Sequence, residues 1–150
     1  MPEIWFDHIG IACESNDKSE KFWSLLGFNI TGHEENVQQG VKIRFMEGNN
    51  APQPRLELLE PISEDTPVGR FISKRGAGVQ QVALATDDLT CLLDILKSNN
   101  VRLINEEPVQ GAGGSMISFI HPSSTGGVLV ELVQKNHEKG YRKPETCLQT

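Results

Sequence analysis

Two glutamates interrupt apolar runs in this chain: Glu57 in Leu56-Glu57-Leu58-Leu59, and Glu131 in Val128-Leu129-Val130-Glu131-Leu132-Val133. Two further polar residues sit at matching places in a second pair of segments. These are His8 in Asp7-His8-Ile9-Gly10-Ile11-Ala12 and Gln81 in Gln80-Gln81-Val82-Ala83-Leu84-Ala85. His8 and Gln81 are 73 residues apart, Glu57 and Glu131 are 74 apart. A carboxylate buried in such a run is costly unless it is paired or binds a metal. One imidazole, one carboxamide oxygen and two carboxylates form a mixed nitrogen and oxygen donor set. That set suits Zn, Co, Ni or Mn better than copper(I) or an iron–sulfur cluster. The plainer reading is that mid-strand glutamates face solvent and that a single histidine is structural; the matched spacing is what favours a joint metal site.

The elements that position these residues repeat at the same interval. Each of the two first segments alternates apolar with small or polar residues, as a strand with unlike faces does. A helix follows each. Asn16 or Asp17 can cap the first, which carries Phe22, Trp23, Leu25 and Leu26 and stops at Gly27. Asp87 or Asp88 can cap the second, which carries Leu89, Leu92, Leu93 and Leu96 and stops at Asn99-Asn100. Both show an apolar stripe at helical spacing, and Gly or Asn suits the left-handed stop. Three strands then follow in each copy: about Phe28–His33, Val41–Glu47 and Arg55–Glu60, and about Val101–Asn105, Met116–Ile120 and Gly127–Val133.

The reading is therefore α+β. Two paired βαβββ modules form a curved mixed sheet around a metal-binding cavity, with helices outside. Module one spans about 4–61 and module two about 78–134. The connector, about 62–77, holds a short helix near Val68–Lys74, and 135–150 is a polar tail read as mobile. A pseudo-twofold relation between the modules would direct all four polar residues to one point.

Composition narrows the classes. A chain of 150 residues is one domain's worth and can bury a core without staples. The net charge of −6 argues against nucleic acid as a partner. The cysteines, Cys13, Cys91 and Cys147, are odd in number and lack metal-type spacing, so no disulfide framework is expected. No segment is long and apolar enough to span a bilayer, so no membrane partner is expected, and a reducing, cytoplasmic setting fits.

These motifs resemble the vicinal-oxygen-chelate superfamily, and within it the methylmalonyl-CoA epimerase family. The resemblance runs from Phe6 to Gln134. It is carried by Asp7-His8-Ile9-Gly10-Ile11-Ala12, Gln39-Gly40-Val41, Glu57-Leu58-Leu59-Glu60-Pro61, Gly111-Ala112-Gly113-Gly114 and His121-Pro122-Ser123-Ser124-Thr125-Gly126-Gly127. It implies that His8, Glu57, Gln81 and Glu131 bind a divalent metal (Co, Zn, Ni or Mn). It further implies that Glu131 transfers a proton at C2 of an acyl-CoA thioester through an enolate. Relatives of this kind are commonly homodimers, and a homodimer is the expectation here. Two positions depart from the family pattern. Gln80-Gln81 stands where His-His is usual, and Ile43 stands where some relatives carry a second proton-transferring Glu, for which Glu35 is a nearby substitute. The alternatives are a diverged lyase or isomerase on another chelating substrate, and a metal-free protein that binds small molecules such as drugs.

Overall fold

A computed structural model describes residues 1–49 and 54–136. The end of the expected tail and Cys147 lie outside the described residues. The elements run β1 (Ile4–Ala12), α1 (Asn16–Leu25), β2 (Asn29–Asn36), β3 (Val41–Glu47), β4 (Arg55–Pro61) and α2 (Pro67–Arg75). They continue with β5 (Gly78–Thr86), α3 (Leu89–Ser98), β6 (Val109–Gln110), β7 (Met116–Ile120) and β8 (Leu129–Gln134). The chain packs into two compact units. The first is Asp7–Val82; the second joins Met1–Phe6 to the chain from Ala83 onward.

The first unit contains the expected βαβββ order, with strands neighbouring as β2-β3-β4-β1 and the start of β5 beside β1. β1 and β4 run parallel, while β2 with β3 and β3 with β4 run antiparallel, so the sheet is mixed. Met46 and Leu58 are fully buried against Ile9, Ile11, Trp23 and Phe28. Complete burial of one such side chain stabilises by about 1.5–3 kcal/mol. Ser15 caps α1, its hydroxyl accepting from Lys18 N at 3.3 Å. This corrects the expectation of Asn16 or Asp17. The Asn16 carboxamide is committed elsewhere, donating to Lys42 O at 3.0 Å. Gly27, at φ 96°, ends the helix as its type predicts.

The second unit repeats the plan in the order β5-β8-β7-β6, and α3 lays Leu89, Leu92 and Leu93 on Ile120 and Leu132. Asp88 is its cap, accepting from Cys91 N at 3.1 Å, and Asn100 leaves the helix at φ 59°. One expected strand is missing in its predicted place. Residues 101–105 form only an isolated bridge from Leu103 to Ile120, and the strand proper is Val109–Gln110. Asn105 is the cause. Its side-chain oxygen accepts from Phe119 N at 3.0 Å, and its carbonyl accepts from Ser118 Oγ at 2.6 Å. A side chain that takes a strand's donor replaces a rung of the ladder. Cys13 is a free buried thiol. Among the described residues no helix is long and apolar enough to cross a membrane.

Candidate active site

Strand register assembles one buried polar cluster in the first unit. On parallel strands β1 and β4, Gly10 lies opposite Glu57 and His8 opposite Arg55. His8, Gly10 and Glu57 therefore share a face. Gln81 of β5 covers Gly10 so closely that a Cβ there would stand 2.5 Å from Gln81 Cγ. The glycine is what lets the carboxamide lie flat on the strand. His8 Nδ1 is 2.8 Å from Glu57 Oε2, and His8 Nε2 is 3.5 Å from the Gln81 side-chain nitrogen. His8 and Glu57 are each 4% exposed and Gln81 7%, so these polar groups must satisfy one another or a bound species.

Two residues that the spacing argument passed over complete the cluster. Asp7 Oδ2 is 2.7 Å from His8 Nδ1 and accepts from Arg55 Nη2 at 3.0 Å. Strict alternation sends residues 7 and 8 to opposite faces, so spacing alone does not couple Asp7 to His8. The register partner of His8, the cation Arg55, was the available clue. Donor atoms of Asp7, His8 and Glu57 lie within 4.8 Å of one another, all on buried residues. An imidazole nitrogen and carboxylate oxygens at such closeness, with a carboxamide beside them, fit a borderline divalent ion.

Glu131 belongs to the second unit. It is 5% exposed and lies on β8 in register with Phe119 of β7. Glu57 lies in register with Phe45 of β3, so each unit sets a phenylalanine beside its buried glutamate. The phenylalanines are 74 residues apart, as the glutamates are.

Register also places the residues around Ile43. Ile43 is buried and pairs with Leu59 on the Glu57 face. Its partner on β2 is Glu34, which is half-buried on that same face. Glu35 pairs with Lys42 instead, on the opposite face of the sheet. Glu34, rather than Glu35, therefore shares the sheet face of Ile43 and Glu57.

A polar cleft of about 310 Å³ at this end of the sheet is lined by Asp17, His33, Lys42 and Arg44 together with Glu34 and Ile43. Arg44 Nη1 donates to Asp17 at 2.6 Å, and Arg44 Nε donates to His33 Nδ1 at 3.2 Å. The guanidinium holds the Asp17 carboxyl below its usual range, and the carboxylates hold Arg44 further above its own. Arg44 is thus engaged within the protein. His121 serves a turn, its Nδ1 accepting from Ser123 N at 3.0 Å.

Residues 7–119 match the sequence profile of the glyoxalase/bleomycin resistance protein/dioxygenase superfamily. The chain is 38% identical over 129 residues to the uncharacterized protein YqjC of Bacillus subtilis, covering 85% of this chain and 90% of that one. It is 32% identical over 130 residues to mitochondrial methylmalonyl-CoA epimerase of Bos taurus, covering 85% and 73% respectively. Among solved structures, methylmalonyl-CoA epimerase of Streptomyces coelicolor in complex with 2-nitronate-propionyl-CoA superposes with a TM-score of 0.81. The identity is 38%, over 86% of this chain and 92% of that one.

Proposed function

Since the chain belongs to the glyoxalase/bleomycin resistance protein/dioxygenase superfamily, we propose that it is a metal-dependent isomerase of an acyl-CoA thioester, with methylmalonyl-CoA epimerisation as its reaction. The observation that carries this reading is the buried meeting of His8, Glu57 and Gln81 on one sheet face. Similarity to epimerases over most of the chain supplies the substrate class. We assign His8, Glu57, Gln81 and Glu131 as the residues that hold a divalent ion: Co, Zn, Ni or Mn. When bound, such an ion supplies Lewis acidity for negative charge developing on a thioester oxygen.

The chain's own residues do the rest. Glu131 removes or returns the proton at C2, and Glu34 serves as the acid–base group for the opposite side, where Ile43 cannot. Inversion needs two such groups, since one base returning its own proton regenerates the starting configuration. Gln81 contributes a neutral oxygen, so the set His8, Gln81, Glu57 and Glu131 carries two negative charges, enough to balance a divalent ion. A shell of that charge leaves a weaker positive field than one with a single carboxylate. We also take the chain, 1–150, to function as a single domain, in a homodimer located in the cytoplasm.

A second reading rests on Ile43 and Gln81: a diverged lyase or isomerase acting on another chelating substrate. Proton NMR of (2R,2S)-methylmalonyl-CoA in D2O separates the two, using metal-stripped protein resupplied with Co2+. Epimerisation predicts metal-dependent deuterium entry at C2 above the protein-free rate. Bound metal with no exchange overturns the epimerase reading and leaves the second; no metal binding leaves a small-molecule binding protein.

A further inference from the structure

The pair Asp7 and Arg55 has no part in the chemistry proposed above, yet it touches the centre of the site. Asp7 is only 8% exposed, and one of its carboxylate oxygens serves two donors, His8 Nδ1 at 2.7 Å and Arg55 Nη2 at 3.0 Å. Arg55 is not a chance neighbour, because the parallel pairing of β1 with β4 sets it opposite His8. A guanidinium hydrogen-bonded to a buried carboxylate holds it in place. We propose that Asp7, anchored by Arg55, is a positioning residue that keeps the His8 proton on Nδ1 and so presents Nε2 as the donor to a cation.

Carboxylates accept and do not donate when ionised, so a nitrogen facing one carries the proton. Nδ1 faces two, Asp7 at 2.7 Å and Glu57 at 2.8 Å. The two are not equivalent. Glu57 is assigned to the ion, whereas Asp7 is held back by Arg55 and keeps its hold on Nδ1 when Glu57 is engaged. The other nitrogen, Nε2, faces the Gln81 carboxamide, the second neutral donor of the set. Ligating histidines generally give their second N–H to a partner that fixes tautomer and ring orientation, and loss of that partner weakens metal binding about 10–100-fold.

The inference rests on the metal reading of His8, so its test has one arm without metal. In metal-free protein labelled with 15N-histidine, long-range proton–nitrogen spectra report the tautomer. Glu57→Ala removes the competing acceptor, and His8 is expected to retain the Nδ1–H form. Adding Asp7→Ala to that variant is expected to abolish the preference; persistence of Nδ1–H in the double variant overturns the inference. In the second arm, Co2+ titration of Asp7→Ala is expected to show affinity about 10–100-fold below wild type. Asp7→Asn, which keeps an acceptor oxygen, should recover part of the loss. Arg55→Gln should act in the same direction, and it replaces Asp7→Ala if that variant does not fold. Equal Co2+ affinity in wild type and Asp7→Ala overturns the inference and leaves the metal reading intact. A wild type that binds no Co2+ overturns the metal reading, and the tautomer arm then decides the inference alone.

Discussion

Glu131 is assigned both to the ion and to the proton, and a single substitution tests the two roles together. Glu131→Gln preserves shape but supplies neither an anionic ligand nor a base. It should weaken Co2+ binding and slow deuterium entry at C2 by on the order of 10²-fold or more. Survival of both, measured by titration and NMR, would remove Glu131 from the site. Cys13 provides a pH prediction of a different kind. Burial raises its thiol above the ordinary value of 9.0. Folding therefore favours the protonated form, and stability from this group is complete below pH 9. It should fall as pH rises past 9 towards the folded-state value, and Cys13→Ser should flatten that fall in urea melts followed by circular dichroism. At this scale the meeting of His8, Glu57 and Gln81 follows from sequence features, since Glu57 interrupts an apolar run and His8 and Gln81 occupy matching places in the repeat. Asp7 was not legible in this way, because alternation alone directs it away from His8.

Register, not proximity in sequence, decides which glutamate of β2 shares the face of Glu57. Glu34 is opposite Ile43 on the Glu57 face, and Glu35 is opposite Lys42 on the other. Glu34→Gln should slow epimerisation by about 10²-fold or more while sparing deuterium exchange from one epimer. Glu35→Gln should change neither, and equal effects of the two would reject the assignment. The connector helix α2 has a separate test. Thr66 caps it, accepting from Gly69 N at 3.1 Å, and its loss should cost about 1 kcal/mol. Thermal denaturation of Thr66→Ser and Thr66→Ala checks this, since Ser keeps the hydroxyl. Elements with strong periodicity were legible, with β3 and β7 falling on their expected limits. The strand expected at 101–105 was not, because an apolar alternation does not reveal that Asn105 will take the donor of Phe119.

The repeat was the most legible property of the whole chain, yet its copies have not kept the same detail. β2 forms a ladder along Asn29–Asn36, whereas its counterpart β6 is reduced to Val109–Gln110. Amide hydrogen exchange should therefore protect 29–36 more than 101–110. Equal protection would mean that the second module pairs more fully than its hydrogen bonds indicate. What resists reduction in both copies is the phenylalanine set beside the buried glutamate. Variation is concentrated instead at the first strands, where His8 and Gln81 differ in chemistry at equivalent places. Gly10 makes that variation cheap. Residue 81 rests on bare backbone, so its side chain can be exchanged without rebuilding the strand beneath. Glutamine and histidine codons differ by one nucleotide. A lineage carrying this glycine can thus pass between an oxygen and a nitrogen donor in one mutational step, shifting its metal preference along the hard-to-soft scale while the scaffold stays as it was.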